Sequence, residues 1–410
     1  MALATELVTL DDVRAARAIL EGVVRVTPMK PSRALADRVG GPVLLKCENL
    51  QRTGSFKIRG AYTRIARLTP AERAFGVVAA SAGNHAQGVA LAARLLGTTS
   101  TVFMPTGAAL PKIEATRTYG ATVRLEGATV DESLAAAQRF AAETGAVFIH
   151  PFDHPDVVAG QGTVGLEIVE QCPDVRTVVV CTGGGGLVSG IAAAVKGLRP
   201  GVRVVGVQAG GAAAFPPSLA AGRPVALPRM ATIADGIAVG RPGEVTFSHV
   251  ARLVDDIVAV SEEDLSRALL FLLERAKLVV EPAGAAAVAA VLAGTVELEP
   301  PVVTVLSGGN IDPLLLLRLI EHGLSAAGRY LSFTVTFADR PGSLVAVLAL
   351  VAEQGANVLD VSHRRTDPSL NLGEVDVALS VETKGTEHSE QLVGALRAAG
   401  YRLQFSPPPR

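Results

Sequence analysis

The chain has 410 residues, 49% hydrophobic and 19% charged, the composition of a globular protein with room for two or three domains rather than of a disordered chain. Lys and Arg together number 38 against 39 Asp and Glu, with no basic block or tail, so neither nucleic acid nor an anionic membrane surface is an expected partner. The three cysteines, Cys47, Cys172 and Cys181, are scattered and odd in number, residues 1–21 lack a signal pattern, and apolar runs such as 283–293 are too short to span a bilayer; a cytoplasmic protein with no disulfide framework and no zinc site is expected.

Residues 10–20 read as a helix, with Val13, Ala16, Ile19 and Leu20 on one stripe and Asp11 or Asp12 near its N-cap. Thr27-Pro28 breaks the pattern, and residues 42–48 read as a strand. That strand delivers the chain to Gly54-Ser55-Phe56-Lys57-Ile58-Arg59-Gly60-Ala61. Here Gly54 permits a sharp turn, Ser55 offers a hydroxyl to cap a helix, Phe56 can anchor the segment in a core, and Lys57 falls in the first helical turn. A partly desolvated lysine at a helix start has its ammonium form disfavoured and becomes a better amine nucleophile. On these residues alone, a surface lysine in an ordinary turn is the simpler reading.

From Gly76 strands and helices alternate: strand 77–80, helix to about 96, strand 99–104, helix from Pro111 to Tyr119-Gly120, strand 121–125, helix 130–144 closed by Gly145, strand 146–150. This order predicts a parallel sheet with crossover helices, so residues 55–150 read as one compact subdomain. The alternation resumes with helix 162–171, strand 175–181, a helix to 198 and strand 202–208. Residues 209–250 are rich in Gly, Pro and Ala and resist assignment; strand 257–260, helices 262–277 and 284–292 and strand 302–306 follow. Residues 151–325 together with 1–54 form the larger subdomain.

After Gly328 the period becomes two: Leu331, Phe333, Val335 and Phe337 alternate with Ser332, Thr334, Thr336 and Ala338. A helix to Glu353, strands 358–362 and 375–381, a helix 389–399 and a strand 402–405 complete a βαββαβ order, the ferredoxin-like arrangement. Residues 330–410 are long enough for a small independent domain, with a linker near 323–330.

Four segments fall at a strand's C-terminal end or a helix start, the edge where open parallel sheets hold ligands. They are the lysine segment, Ser81-Ala82-Gly83-Asn84-His85, Gly183-Gly184-Gly185-Gly186-Leu187 and Ser307-Gly308-Gly309-Asn310. The tetraglycine lets backbone N–H groups converge ahead of a helix, a phosphate cradle on physical grounds, although it lacks the lysine of a P-loop; a flexible turn is the competing reading. Ser81–Asn84 could hold a carboxylate through N–H groups, or could be a plainly capped helix. His85, at a helix start, is read as structural rather than catalytic.

Taken in order, Ser55–Ala61, Ser81–Gly88, the tetraglycine, Glu281-Pro282-Ala283-Gly284-Ala285 and Ser307–Asn310 make the chain resemble the fold-type II pyridoxal-phosphate enzymes, specifically the threonine/serine dehydratases, over about residues 5–325. Pro151-Phe152-Asp153, Gly160-Gln161-Gly162-Thr163 and Thr232-Ile233-Ala234-Asp235-Gly236 fit the same pattern. The C-terminal stretch, with Asp339–Leu344 and Gly355–Val358, is similar to an ACT domain, an amino-acid-sensing module. The resemblance implies an α/β fold of two parallel-sheet subdomains followed by that module. It implies that Lys57 carries pyridoxal phosphate, flanked by Phe56, with the phosphate on Gly183, Gly184, Gly185, Gly186 and Leu187, the ring hydroxyl on Asn84 and the ring nitrogen on Ser307. A hydroxyl partner there leaves the cofactor a weaker electron sink than an Asp would, which suits prompt loss of a β-leaving group. Substrate would meet Ser81, Ala82, Gly83, Asn84, His85 and Gly236, and the freed Lys57 amine would take the Cα proton.

Two departures sharpen this. Serine racemases of the same fold carry a serine base where Ala82 stands, which argues against racemisation. They also bind a divalent cation through acids after the strand ending near Val207; the matching 208–214 has no carboxylate, so no such metal site is expected. The expected activity is conversion of L-threonine to 2-oxobutanoate and ammonia, with L-serine to pyruvate as a secondary activity, serving isoleucine synthesis or threonine breakdown in a homodimer or homotetramer. A serine dehydratase or a β-replacement enzyme is the alternative within the fold; a non-catalytic amino-acid sensor would have no use for Lys57. By analogy with the module's class, Pro341, Gly342, Ser343, Leu344 and Asn357 would bind an amino-acid effector such as isoleucine or valine.

Overall fold

The computed structural model describes residues 6–365 and 370–405. The first helix, Leu10–Leu20, is started by Thr9, whose hydroxyl accepts from Asp12 N while the Asp12 carboxylate returns the bond to Thr9 N. Of the expected stripe, Val13, Ala16 and Leu20 are buried and Ile19 is half-buried.

Contacts divide the chain between Asp312 and Pro313. The first unit contains two sheets. One has six strands in the order Met29–Pro31, Val43–Lys46, Val302–Val305, Thr177–Cys181, Arg203–Ala209 and Asp256–Val260, parallel throughout except for the first pair. The other has four parallel strands, Thr122–Leu125, Ser100–Met104, Val77–Ala80 and Val147–Phe148. The Val-rich strands at the centre of the larger sheet are buried along their whole length, as strands covered on both faces must be.

The helix expected from 162 begins at Pro155, where the proline opens the first turn and His154 Nδ1 accepts from Asp156 N at 3.1 Å. Glycines 160, 162 and 165 had obscured its period. They are there for contact: a Cβ on Gly165 would lie 2.9 Å from Ile191 O, and one on Gly190 would lie 2.5 Å from Gly162 N. The helices Pro155–Gln171 and Gly186–Leu198 therefore meet backbone to backbone.

Within 209–250 the structure resolves helices Phe215–Ala221 and Glu244–Leu253 and a short turn, Asp235–Ile237. The second helix is started from afar: the Asp153 carboxylate accepts from Val245 N at 2.9 Å and Thr246 N at 3.2 Å. The helix expected over 262–277 is α-helical only to Phe271. It widens into a π turn, Leu272–Ala276, and stops at Lys277, whose φ of 58° is left-handed.

A cluster of opposite charges lies beneath the lysine segment. Arg59, fully buried, donates from Nε and Nη2 to the two oxygens of Glu48 at 2.8 Å each and from Nη1 to Glu167 at 2.7 Å. Lys46 Nζ reaches the other Glu167 oxygen at 2.6 Å, Thr27 O at 2.8 Å and Gln171 at 2.9 Å. Every charge is paired and hydrogen-bonded, the condition for keeping ions in a core.

In the second unit the antiparallel sheet runs Asn357–Arg364, Glu374–Glu382, Tyr330–Ala338, Arg402–Gln404, with helices Ser343–Glu353 and Thr386–Ala398. Phe333, Val335, Val347, Val351, Val377 and Leu379 form its core, matching the period-two reading. Half of the stretch expected as a linker is helix: Pro313–Ala326 leaves only three residues before the strand at Tyr330. Among the described residues no helix is long and apolar enough to cross a membrane.

Candidate active site

Lys57 is the first residue of helix Lys57–Ala66. Gly54, at φ 70°, turns the chain into it, and the segment is stitched to the end of strand Val302–Val305 by Phe56 N to Ser307 O at 3.1 Å and Gly309 N to Gly54 O at 2.9 Å. The expected Ser55 cap is absent. Ser55 is extended and bridged to Gly308, and its buried hydroxyl finds no hydrogen-bond partner among the described residues. From behind, helix Asn84–Leu95 comes so close that a Cβ on Gly88 would lie 3.1 Å from the Lys57 carbonyl carbon.

The Lys57 side chain opens into a cavity of about 960 Å³. Nζ donates to Pro151 O at 3.0 Å and lies 5.2 Å from the Phe56 ring centre. Burial lowers its pKa from 10.5 to about 8, with Cys181 and Glu281 pulling weakly the other way. Lys57 is thus held as an amine that a small rise in pH deprotonates.

The tetraglycine faces the same cavity and ends as the N-terminus of helix Gly186–Leu198. Gly185 caps it at φ 96°, a conformation that costs other residues dearly. The loop is shaped from outside by Phe152: a Cβ on Gly184 would lie 2.5 Å from three ring carbons. Thr246 Oγ1 donates to Gly184 O at 2.6 Å, so the helix that Asp153 starts also pins the loop. The result sets the loop backbone of Gly183–Gly186 beside the positive end of a helix on the cavity wall, suited to a phosphate.

Ser81, Ala82, Gly83 and Asn84 line the same cavity, at the start of helix Asn84–Leu95. Asn84 is held at both ends: Nδ2 donates to Glu281 at 2.6 Å, and Oδ1 accepts from Asn310 Nδ2 at 2.7 Å. Glu281 enters the sequence reading only as part of a motif, yet its carboxyl is buried in the site and pushed up to about 7, chiefly by burial and then by Asp235. The clue in the sequence is an acid directly before a proline that opens a helix: Glu281 sits at the N-cap position of Pro282–Ala293 but makes no cap bond with its side chain.

His85 is committed elsewhere. Its Nε2 meets Ile149 O at 2.9 Å, and burial lowers its pKa to about 3, so the ring stays neutral. His150, unremarked in the sequence, lines the cavity; its Nδ1 accepts from Asp153 N at 2.8 Å, and burial holds it down to about 4. Ser307 reaches the cavity beside Cys181, whose thiol burial pushes up to about 11. Gly236, in the Asp235–Ile237 turn, and Leu187 complete the lining. In the second unit, exposed Gly342, at φ 86°, starts helix Ser343–Glu353 after Pro341; Leu344 packs on the local core, and Asn357 is exposed at a strand start.

A lysine amine, a glycine-framed anion cradle and a neutral hydroxyl on one wall form a donor set that fits pyridoxal phosphate. In keeping with this, residues 20–308 match the family described as pyridoxal-phosphate dependent enzyme, and residues 332–400 match the ACT domain. The chain belongs to the pyridoxal-phosphate-dependent enzyme family and carries an ACT domain at its C-terminal end. It is 49% identical over 97% of its length to the whole of an L-threonine ammonia-lyase of Thermotoga maritima, and 47% identical over 92% of its length to 94% of another from Geobacter sulfurreducens. Among solved structures, the T.th. threonine deaminase is 42% identical with a TM-score of 0.71, covering 74% of this chain and 99% of its own. Maize serine racemase is 35% identical with a TM-score of 0.73, covering 78% and 99%.

Proposed function

We propose that the chain catalyses pyridoxal-phosphate-dependent dehydration and deamination of L-threonine to 2-oxobutanoate and ammonia, with L-serine to pyruvate as a secondary activity. The observation that carries this reading is Lys57, an amine with its pKa near 8 on the wall of a cavity that also holds a glycine phosphate cradle. The names of the relatives at 47–49% identity support the substrate.

In this reading Lys57 holds the cofactor covalently between turnovers, and the N–H groups of Gly183–Gly186 and Leu187 hold its phosphate. Asn84, fixed by Glu281 and Asn310, would hold the ring hydroxyl, and Ser307 would hold the ring nitrogen. Bound pyridoxal phosphate supplies an electron sink that makes the substrate Cα–H acidic. The N–H groups of Ser81–Asn84 orient the substrate carboxylate. Lys57 would then take the Cα proton, the β-hydroxyl would take up a proton and leave as water, and the released 2-aminoenoic acid would tautomerise to the imine and be hydrolysed by water to the 2-oxo acid and ammonia. Ala82 carries no group able to return a proton to the opposite face, which favours elimination over racemisation.

The ACT unit binds a regulatory amino acid, isoleucine or valine, at Pro341–Leu344 and Asn357; the helix start at Gly342 supports this. A cytoplasmic homodimer or homotetramer belongs to the same reading, and three free, buried thiols support a reducing compartment.

The test is spectroscopic and chemical. Purified protein should show a visible cofactor band that Lys57→Ala abolishes, and should form 2-oxobutanoate from threonine faster than pyruvate from serine. A colourless wild type, or no 2-oxo acid from either substrate, defeats the reading. A rate unchanged by any amino acid added to the assay defeats the effector assignment.

A further inference from the structure

Two charged side chains on the cavity wall have no part in the proposed reaction. Lys112 comes from helix Leu110–Thr118, on the side of the four-stranded sheet. Asp235 comes from the turn Asp235–Ile237, whose Gly236 lies on helix Pro282–Ala293. Lys112 Nζ donates to Asp235 Oδ2 at 2.6 Å, with side chains 23% and 59% exposed.

This pair sits close to the reacting end of the cavity. A Cβ on Gly236 would lie 3.7 Å from Glu281 Oε1, and that oxygen accepts from Asn84. Beyond the effect of burial, Asp235 pushes the Glu281 carboxyl up and Lys112 draws it down, so both charges are felt there.

The cations on the cavity wall among the described residues are Lys57, Lys112 and Arg241. Lys57 is taken by the cofactor, and Arg241 is engaged by Glu244 at 2.6 Å. His85 and His150 are neutral for the reasons given above. With Lys112 held by Asp235, no cation remains for a second carboxylate on the substrate. Such a carboxylate would be desolvated without a partner and would also face Asp235, a like charge.

We propose that Asp235, by holding Lys112, is a specificity-determining residue: it admits 2-amino-3-hydroxy acids with a neutral side chain and turns away those with a side-chain carboxylate. The inference deepens the β-hydroxy amino acid reading and rests on it. Discrimination of this kind is made by the penalty on the wrong ligand as much as by contacts to the right one.

The experiment compares kcat/KM for L-threonine and L-threo-3-hydroxyaspartate in the wild type, Asp235→Asn and the double variant Asp235→Asn/Lys112→Gln. Asp235→Asn should raise the hydroxyaspartate-to-threonine ratio by roughly tenfold or more, the size of one unmasked charge contact. The double variant should return the ratio close to the wild-type value. Both substrates are measured on one protein, so a general loss of folded enzyme cancels in the ratio. An unchanged ratio in Asp235→Asn overturns the proposal, as does an equally raised ratio in the double variant, which would deny Lys112 its role. Titration of the visible cofactor band with L-aspartate, which has no β-hydroxyl to lose, reads the same selection without turnover: tighter binding to Asp235→Asn alone is expected, and equal binding to all three proteins overturns the proposal. A wild type that turns over neither threonine nor serine defeats the underlying reading, while this titration still decides the role of Asp235.

Discussion

Removing Lys57 should make the cofactor-free protein more stable near neutral pH. Burial lowers the Lys57 pKa from 10.5 to about 8, a difference worth about 3 kcal/mol at roughly 1.4 kcal/mol per pH unit. The sign follows from proton binding. Below about pH 8 the lysine is charged in both states, and the folded protein bears the full cost of a desolvated ammonium. Between about 8 and 10.5 the folded state releases its proton while the unfolded chain keeps it, so stability rises with pH. Above that range the cost is gone. Lys57→Met removes the charge and keeps the apolar stem, but it leaves Pro151 O without its 3.0 Å donor, a loss of about 1 kcal/mol. Near pH 7 the variant should therefore gain at most about 2 kcal/mol, and because part of the side chain meets the open cavity the figure is an upper bound. The gain should shrink through pH 8–10 and end as a small deficit. Urea denaturation of cofactor-free wild type and variant across this range measures it, and the difference between the two cancels other titrating groups. A difference that does not change with pH, or a variant already less stable near neutrality, would refute the claim that Lys57 is held against its charged form.

Arg59→Leu should cost about 3–5 kcal/mol, because Glu48 would lose the ion pair that holds it in the core and Glu167 would keep only Lys46; a loss below about 1 kcal/mol in denaturant would show that the cluster relaxes or hydrates. Gly190→Ala, pressed against Val158 O and Gly162 N, should destabilise by about 1–3 kcal/mol, since rigid backbone faces it on the partner helix; an unchanged midpoint would mean the two helices can part. Gly184→Ala should weaken pyridoxal phosphate binding at least about tenfold in a spectral titration, because the loop cannot keep its shape against Phe152, and unchanged affinity would rule that out. Glu281→Gln keeps an acceptor for Asn84 but removes the carboxyl held near 7, so an inflection near that pH in the wild-type rate profile should vanish; a profile identical in both proteins would show that Glu281 does not report on catalysis.

How much of this was legible depends on whether the signal was local. Strand Val77–Ala80 and helix Val130–Thr144 match the sequence reading residue for residue, because an apolar run and a capped, periodic segment closed by glycine carry their own boundaries. Helix Pro155–Gln171 was found only in its second half, since its glycines answer to a neighbouring helix rather than to helical propensity. Helix Glu244–Leu253 was missed because its start is held by Asp153, far upstream in the chain. The Ser55 hydroxyl failed as a cap because an extended bridge to Gly308 turned it inward.

The sequence by itself determined the alternation of strands and helices, the change of period after Gly328 and the candidate lysine, cradle and hydroxyl, because these rest on short-range backbone preferences and on motif order. Only the tertiary structure decided what those residues face. It set Glu281 against Asn84, packed Phe152 on the glycine loop, buried Arg59 between two carboxylates and joined Lys112 to Asp235 across the cavity. All of these contacts but the Arg59–Glu48 pair join residues far apart in the chain. Their energy depends on burial and distance, which no local pattern of residues encodes.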